Sequence, residues 1–503
     1  MHTVRLLLAT TRYDETVIEK RFHAISHIHN VIVKHAQKRL KRLSYDAEYQ
    51  SLKAEYKKLL KKDTLSIEEK TRRKLISRQM AEIIRTHSLS EYAFQSYIKV
   101  CGKQFRKCLS SQQIQKEATR VWKGVEAVLY GNGKELHFKK YRDFHTICGK
   151  TNTNGAKFQK ESCSIQWLGL NIKCKLPKDQ DYLLEALDSE ISYCEMARKM
   201  FPNGWHYYVV VYLKGDAPHK IKAVGRDDVA GIDIGTSTVA CVSSRSVTLQ
   251  ELAPKCREYN QKIERLLRRM DRSKRILNPN KYRADGTIEP ANHEKWKFSK
   301  AYRKNQNRLK SLYRQKAAYV KQSHEETINR LLHESVCFIV EDMSFTGLQR
   351  KKKTTERRDQ VSEIRQKDGS AKKIHKYKRR KRFGKSITDR APASFVTILE
   401  QKAKLYGGNV SKVSTKEYKA SQYDHAKDQY IKTDLSVREK IIAGHKVQRD
   451  LYSAFLLRNS NQKLNKPDQK KCIYEFDRFV KLQDQLIEKM KENNISMKQC
   501  FGF

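Results

Sequence analysis

Three carboxylates in this 503-residue chain sit where chemistry needs them. Asp233 interrupts the apolar, β-prone run Val229–Val242 (VAGIDIGTSTVACV), which turns at Gly235-Thr236-Ser237 and resumes as a second strand. Glu341 follows directly on Val336–Val340 (VCFIV), which reads as a buried central strand with acids at its carboxyl end. Asp450 belongs to GHKVQRDLYSAFLL, a predicted helix with Val447, Leu451, Ala454 and Phe455 on its buried face and Asp450 at that face's edge. A charge beside a core is costly unless it is paired or bound to metal. Three carboxylates converging from two strands and a helix suit two Mg²⁺ ions, with Mn²⁺ an alternative. Such ions activate a water and stabilise the leaving 3′-oxygen in phosphodiester hydrolysis.

Plainer roles compete for each acid. Asp233 can serve as a hydrogen-bonded structural acid. Asp342 competes with Glu341: strand parity puts the two on opposite faces, and with both faces apolar the choice stays open. Asp424, Asp428 and Asp434 compete with Asp450, because most helix acids are solvated or paired four residues away.

A strand–turn–strand with a central acid opens the active site of two large groups, the RuvC/RNase H-like nucleases and the actin-like ATPases and sugar kinases. The second group needs another Gly-rich phosphate hairpin and a Gly-Gly adenosine loop, where backbone N–H groups approach the nucleotide. This chain has 20 Gly. Its Gly407-Gly408 pair reads as a helix stop before the strand Asn409–Ser414. Charge also separates the two groups. Lys and Arg number 105 against 56 Asp and Glu, a net +49, and polyphosphate is the natural partner of such an excess. A membrane partner fits poorly, because the longest apolar runs (RLLLA, VVVYL) are far too short to span and no secretory apolar region follows Met1. The 11 cysteines include no C-x-x-C pair, which argues for reduced thiols. Cys163, Cys174, Cys241 and Cys337 lie in apolar runs and read as small core residues.

The elements that must position the acids follow from periodicity. Met1–Thr11 reads as a short strand, and the stretch from Glu15 to about Leu109 is helical with basic polar faces. From about Val121 to Val224 short β-like runs dominate, among them SIQWLGLNIKCK and WHYYVVVYL, and suggest a barrel-like module. An amphipathic helix is predicted over Lys262–Ile276, a long one from about His293 to Leu332, and another over Ala393–Tyr406. The order strand pair, helices, strand with acid, helix, strand, helix with acid is what an RNase H-like sheet needs.

Four ordered blocks resemble the TnpB proteins of insertion sequences and their descendants, the type V CRISPR effector nucleases. GIDIGTSTVACVSS is similar to the first RuvC motif, FIVEDMSFTGL to the second, and VQRDLYSAFLLRN to the third. RRKRFGKSITDRAPASFVTILEQKAKLYGGNVSKVS is similar to the block before the third, so the resemblance spans Val229–Asn459. It implies that Glu341, rather than Asp342, joins Asp233 and Asp450 as catalytic, metal-holding acids. It further implies a multidomain α+β protein with a RuvC/RNase H-like α/β nuclease domain and a β-barrel wedge domain carrying an inserted helical recognition lobe. The corresponding boundaries are a first wedge strand at 1–12, the lobe at 13–115 and the wedge at 116–225. The nuclease domain follows at 226–349 and 386–470, around a basic insertion at 350–385, with a helical tail at 471–503.

The implied partners are a guide RNA and a double-stranded target DNA, joined as an RNA–DNA heteroduplex beside a short duplex motif, with pairing supplying sequence specificity. The implied setting is the prokaryotic cytoplasm, near the nucleoid. Such proteins usually carry a zinc ribbon between the second and third motifs. Here no cysteine lies between Cys337 and Cys472, and lone His425 and His445 make poor ligands, so no zinc is expected and 416–444 reads as a degenerate ribbon. Lys376, Tyr377, Arg379, Arg380, Lys381 and Arg382 in KYKRRKR are candidate nucleic-acid contacts. Trp122, Trp167, Trp205 and Trp296 read as core rather than base-stacking residues. Two other functions remain distinct: a guide-dependent DNA-binding repressor without cleavage, and a guide-independent RNase H-like nuclease.

Overall fold

The computed structural model describes residues 1–62, 64–178, 180–219, 224–225, 228–350, 357–365, 371–377, 383–434, 436–496 and 500–503. The chain divides into two compact units, Met1–Pro218 and His219–Phe503.

The first unit starts with β1 (His2–Leu8) and α1 (Arg12–Ser44). Thr11 and Asp14 form a capping box that starts α1 by satisfying free N–H groups reciprocally. Helices α2 (Ala47–Leu60), α3 (Ile67–Thr86), α4 (Glu91–Cys101) and α5 (Ser111–Leu129) follow, each opened by an Asp or Ser cap. Then come β2 (Thr146–Cys148), β3 (Ala156–Gln159), β4 (Ser164–Trp167), β5 (Leu170–Lys175), α6 (Asp181–Leu187), β6 (Ile191–Phe201) and β7 (Gly204–Leu213). The strands form one antiparallel sheet, β2-β6-β7-β1-β5-β4-β3, with β1 at its middle. The ladder ends at β2 and β3, so the barrel expectation reaches only as far as a seven-stranded sheet. The β-rich stretch also begins later than expected. Ile114, Ala118, Val121 and Val125 recur at helical spacing and carry α5 to Leu129.

Helices and sheet share one core, in which Ile18, Phe22 and Ile25 of α1 meet Val4, Leu6, Val209 and Val211. Arg198 of β6 is fully buried there, its guanidinium within 4.1–4.4 Å of the Phe22, Tyr141 and Trp205 rings. It donates to the carbonyls of Phe144 and Tyr141 and pairs with Glu19. Trp167 is likewise buried, beneath the Arg21 guanidinium. Trp122 packs at the edge of the same core.

The second unit is built on β8 (Val229–Ile234), β9 (Thr238–Val242), β10 (Val247–Glu251), β11 (Cys337–Glu341) and β14 (Asn409–Val413). The helices α7 (Cys256–Ile276) and α8 (Lys300–Glu334) separate β10 from β11. Residues 293–299, expected to be helical, precede α8, which starts at the Ser299 cap. The short α9 (Phe345–Gln349) and the hairpin of β12 (Arg357–Arg365) with β13 (Ala371–Tyr377) lead to α10 (Gly384–Arg390) and α11 (Pro392–Leu405). After β14 come two small ribbons, β15 (Tyr423–Asp424) with β16 (Gln429–Tyr430) and β17 (Glu439–Ile442) with β18 (His445–Gln448). The chain then forms α12 (Arg449–Arg458) and α13 (Gln469–Glu492).

The main sheet runs β10-β9-β8-β11-β14; its first three strands are antiparallel and β8, β11 and β14 are parallel. Alternation divides its side chains between two cores. Ala230, Ile232, Ile234, Phe338 and Val340 pack on Ile328, Leu331 and Leu332 of α8 and Phe395 and Leu399 of α11. Ala240 and Val242 meet Leu451, Ala454 and Phe455 of α12 and Phe476 and Phe479 of α13, while Ile339 and Val413 meet Leu457. Gly407 (φ +81°) ends the turn after α11, and at Gly408 a Cβ would stand 2.0 Å from the Val336 carbonyl oxygen. That close approach lets β14 settle beside β11. Among the described residues no helix is long and apolar enough to cross a membrane.

Candidate functional site

Strand register brings two of the acids together. Ile339 pairs with Gly231 and Val340 with Ile232 in the parallel β8–β11 ladder, so Asp233 and Glu341, each two residues on, follow on the same face. That face carries Gly231, Ile339 and, through β9, Ala240 and Val242, and is covered by α12. Asp342 lies on the other parity, and its backbone N–H donates to the Val413 carbonyl at 2.9 Å.

The third acid arrives on α12. Gly231 has no side chain because the α12 backbone occupies the space: a Cβ there would be 2.0 Å from the Ala454 carbonyl oxygen and 2.4 Å from the Arg458 nitrogen. One turn before Ala454 stands Asp450, in the first turn of α12 and buried, not merely at the edge of the apolar face. The helix is secured at both ends. Gln448 caps its start, its side-chain oxygen accepting from the Leu451 N–H at 2.7 Å. Gln483 of α13, fully buried, accepts from the Gln448 N–H at 2.8 Å and donates to the Lys446 carbonyl at 3.1 Å. At the far end Arg458 pairs with Asp228, which precedes β8, at 3.3 Å, and with Glu475.

Electrostatics register the convergence. The Asp233 pKa is raised well above the ordinary carboxylate value, first by desolvation, then by the charges of Asp450 and Glu341; Arg449 and Arg438 act the other way. Glu341 is also raised by burial, partly offset by the Ala420 N–H it accepts at 3.3 Å. Asp450 is held by Arg449 at 3.1 Å and faces Arg438 at 3.9 Å. Hard carboxylate oxygens fit a divalent cation in their chemistry. They stand as electrostatic neighbours rather than a closed cage: among the described residues no group of three or more His, Cys, Asp or Glu is arranged to hold a metal ion.

The acids that compete with Asp450 have local work. Asp424 accepts from the Ala426 N–H at 3.0 Å, Asp428 from the Tyr423 hydroxyl at 2.7 Å, and Asp434 from the Ser436 N–H at 2.7 Å. His425 is buried, its Nδ1 2.8 Å from the Tyr452 hydroxyl, and burial lowers its pKa. His445 packs edge-on to Phe476. Lys376 and Tyr377 fall in β13. Their side chains, and Arg379, Arg380, Lys381 and Arg382 entirely, lie outside the described residues. Trp296 is covered by the Lys274 and Lys281 ammonium groups at 3.8 and 4.9 Å.

Sequence reasoning passed over Gly231, Gln448, Gln483, Arg438 and Arg449. Only Gly231 carried a local signal, a glycine inside a β-prone run, which marks a close backbone approach.

No family model matches the chain, and no curated protein does. Among solved structures it is similar to a Cas12f1–sgRNA–target DNA complex, with 12% identity over 92% of this chain and 99% of that one and a TM-score of 0.42. It is also similar to a CRISPR-Cas12f ternary complex, again at 12% identity over 92% and 99%, with a TM-score of 0.25. Likenesses this distant leave the assignment to the residues themselves.

Proposed function

We propose that the chain is an RNA-guided DNA endonuclease of the TnpB and type V effector kind, with one hydrolytic site formed by Asp233, Glu341 and Asp450. The observation that carries this reading is the placement of Asp233 and Glu341 on the α12 face of the main sheet, with Asp450 of α12 near enough that its charge, after burial, raises the Asp233 pKa. Their strand–strand–helix order is the one an RNase H-like site requires, and the +49 charge suits a nucleic-acid partner. Bound among these carboxylates, divalent cations such as Mg²⁺ or Mn²⁺ would lower the pKa of water and stabilise the departing oxygen.

The chain's own residues have separable tasks in this scheme. Asp233, raised by burial and then by its acidic neighbours, is the group whose charge a cation most relieves. Glu341 is oriented by the Ala420 N–H. Asp450 is kept in place by the capped start of α12, with Arg449 and Arg438 balancing its charge until a cation competes for it. Guide pairing would supply specificity, the protein gripping the heteroduplex by its backbone and shape. The layout of first wedge strand, recognition lobe, wedge, nuclease halves, basic insertion, degenerate ribbon and tail belongs to the same proposal.

The test is to purify the protein with its RNA, sequence that RNA, and incubate the complex with matched linear duplex DNA in Mg²⁺ or in chelator. Mg²⁺-dependent, guide-matched cleavage that Asp233→Ala abolishes while binding persists is the expected result. Binding without cleavage by the native protein would replace it with a guide-dependent repressor. Cleavage supported by any RNA would replace it with a guide-independent nuclease.

A further inference from the structure

Two cysteines of the first unit face each other across the antiparallel β4–β5 ladder. Ser164 pairs with Lys173, so Cys163 and Cys174 form the next rung, and the Cys174 N–H donates to the Cys163 carbonyl at 2.9 Å. Opposed residues that share a ladder hydrogen bond have Cα atoms about 5.5 Å apart, inside the roughly 4.4–6.8 Å that a disulfide spans. The two thiols meet in a side-chain hydrogen bond, so both side chains leave the ribbon on one face. The backbone at this rung has slack on one side. Cys163 takes a left-handed conformation (φ +44°), and its own N–H turns back to the Lys160 carbonyl at 3.2 Å rather than to Cys174. Both residues are half-buried, which leaves them open to a small solute.

The neighbouring thiols are placed differently. Cys148 and Cys194 are buried, and their thiols donate to the Gly149 carbonyl and to the Asn152 side-chain oxygen, each at 3.2 Å. Among the described residues no other two cysteines oppose each other in a ladder. Cys163 and Cys174 also pack on the core of the first unit, but apolar packing alone does not require sulfur at both positions of one rung.

We propose that Cys163 and Cys174 are a reversible redox modification site, joined as a disulfide by exchange with a small disulfide such as oxidised glutathione. The Cys163 thiolate attacks one sulfur of the small disulfide, forming a mixed disulfide and expelling one thiolate. Cys174 then loses its proton and attacks the Cys163 sulfur, expelling the second thiolate. The small disulfide takes up the two electrons, and with the two protons released by the cysteines it leaves as two thiols. Burial pushes both cysteine thiols up, Cys174 to about 12, while the hydrogen bond from Cys174 favours the Cys163 thiolate. Cys163 is therefore the first to attack, and closure quickens as pH rises and the thiolate fraction grows. The bond would staple β4 to β5, which itself pairs with β1. The site belongs to the first unit and does not depend on the hydrolytic reading of the second.

The test treats the reduced, full-length protein with oxidised glutathione, alkylates it under denaturing conditions and maps its tryptic peptides. Trypsin cuts after Lys173 and so separates the two cysteines. The expected product joins peptide 161–173 to peptide 174–175, is two hydrogens lighter than their sum and is released by dithiothreitol, with two of the 11 thiols lost to alkylation. From about pH 7 to about pH 9 its formation should speed at least about tenfold. Cys174→Ser should stop at a glutathione adduct on Cys163, and Cys163→Ser should leave Cys174 unmodified over the same time. Alkylation of all 11 cysteines after treatment overturns the site. So does a bond from either residue to Cys194, or glutathione adducts on the native protein with no cross-link. Circular dichroism before and after treatment follows the fold, and a cross-link that forms only in unfolded protein overturns the proposal equally. None of these outcomes bears on the three acids, so the proposed nuclease stands or falls separately.

Discussion

Gly231 of β8 and Ala454 of α12 approach so closely that a single methyl group could not fit between them: a Cβ on Gly231 would stand 2.0 Å from the Ala454 carbonyl oxygen. This contact fixes how far α12 lies from the sheet. Through one helical turn it fixes where Asp450 stands relative to Asp233.

Gly231→Ala should therefore act on stability and on the site together. The obstacle is backbone, not a flexible side chain, so α12 must shift, at a cost of about 1–3 kcal/mol or more. Thermal melting should fall, and Mg²⁺-dependent cleavage should fall more than target binding does. A variant with native melting and native cleavage would show that the close approach does not set the site.

Parity separates the adjacent acids Glu341 and Asp342. Glu341→Gln should lower cleavage by more than the roughly 10- to 100-fold that loss of an outer-shell partner costs a metal site, whereas Asp342→Asn should retain most of it. Cleavage assays on the two purified variants, with target binding measured in parallel, decide the matter. Equal losses would contradict the register argument.

Asp233 should cost the protein stability when no cation is present. Its folded pKa is raised above that of the unfolded chain, so the folded state holds its proton longer. Stability is then highest below the unfolded value and falls as pH rises from there through the folded value. In chelator above that window, Asp233→Asn should melt higher than native, by about 2–4 °C for each kcal/mol of burial cost and repulsion removed. Added Mg²⁺ should raise native melting and leave the variant nearly unchanged. A lower melting temperature for the variant in chelator would refute that cost.

Gln483 should matter far beyond its own helix. Gln483→Met keeps the volume but leaves the Gln448 N–H and the Lys446 carbonyl without their partner, a loss of about 1–3 kcal/mol for the buried Gln448 N–H and less for the half-buried carbonyl. Melting should drop, and cleavage should drop with it because the start of α12 loosens beneath Asp450. Hydrogen exchange at the Gln448 amide reports the same event directly, and unaltered protection there would count against it.

In the first unit, Arg198→Lys should be nearly as damaging as Arg198→Met. A lysine ammonium cannot fill a slot framed by three rings while also donating to two carbonyls and a carboxylate. Loss of about 3–5 kcal/mol is expected in urea denaturation, as when a buried charged partner is removed. A lysine variant with native stability would show that charge alone suffices.

The sequence by itself determined that Asp233 belongs to a strand pair, that Glu341 ends a buried strand and that Asp450 rides a helix with an apolar face. Local periodicity is enough for that, because burial alternates at two residues in a strand and recurs at three to four in a helix. The TnpB-like blocks singled out Glu341 by resemblance, but the residues alone left Asp342 equal to it. Only the parallel β8–β11 register, a long-range pairing, decides which of the two shares a face with Asp233. The start of α8 at Ser299 and the end of α5 at Leu129 were also misjudged locally, since boundaries depend on caps and on what the flanking turns pack against. Tertiary structure alone decided that α12 lies directly on Gly231 and that Gln483 reaches across to cap its approach. Each of these joins residues tens to more than two hundred positions apart. No local pattern encodes such distances; they are set by which faces must be buried together.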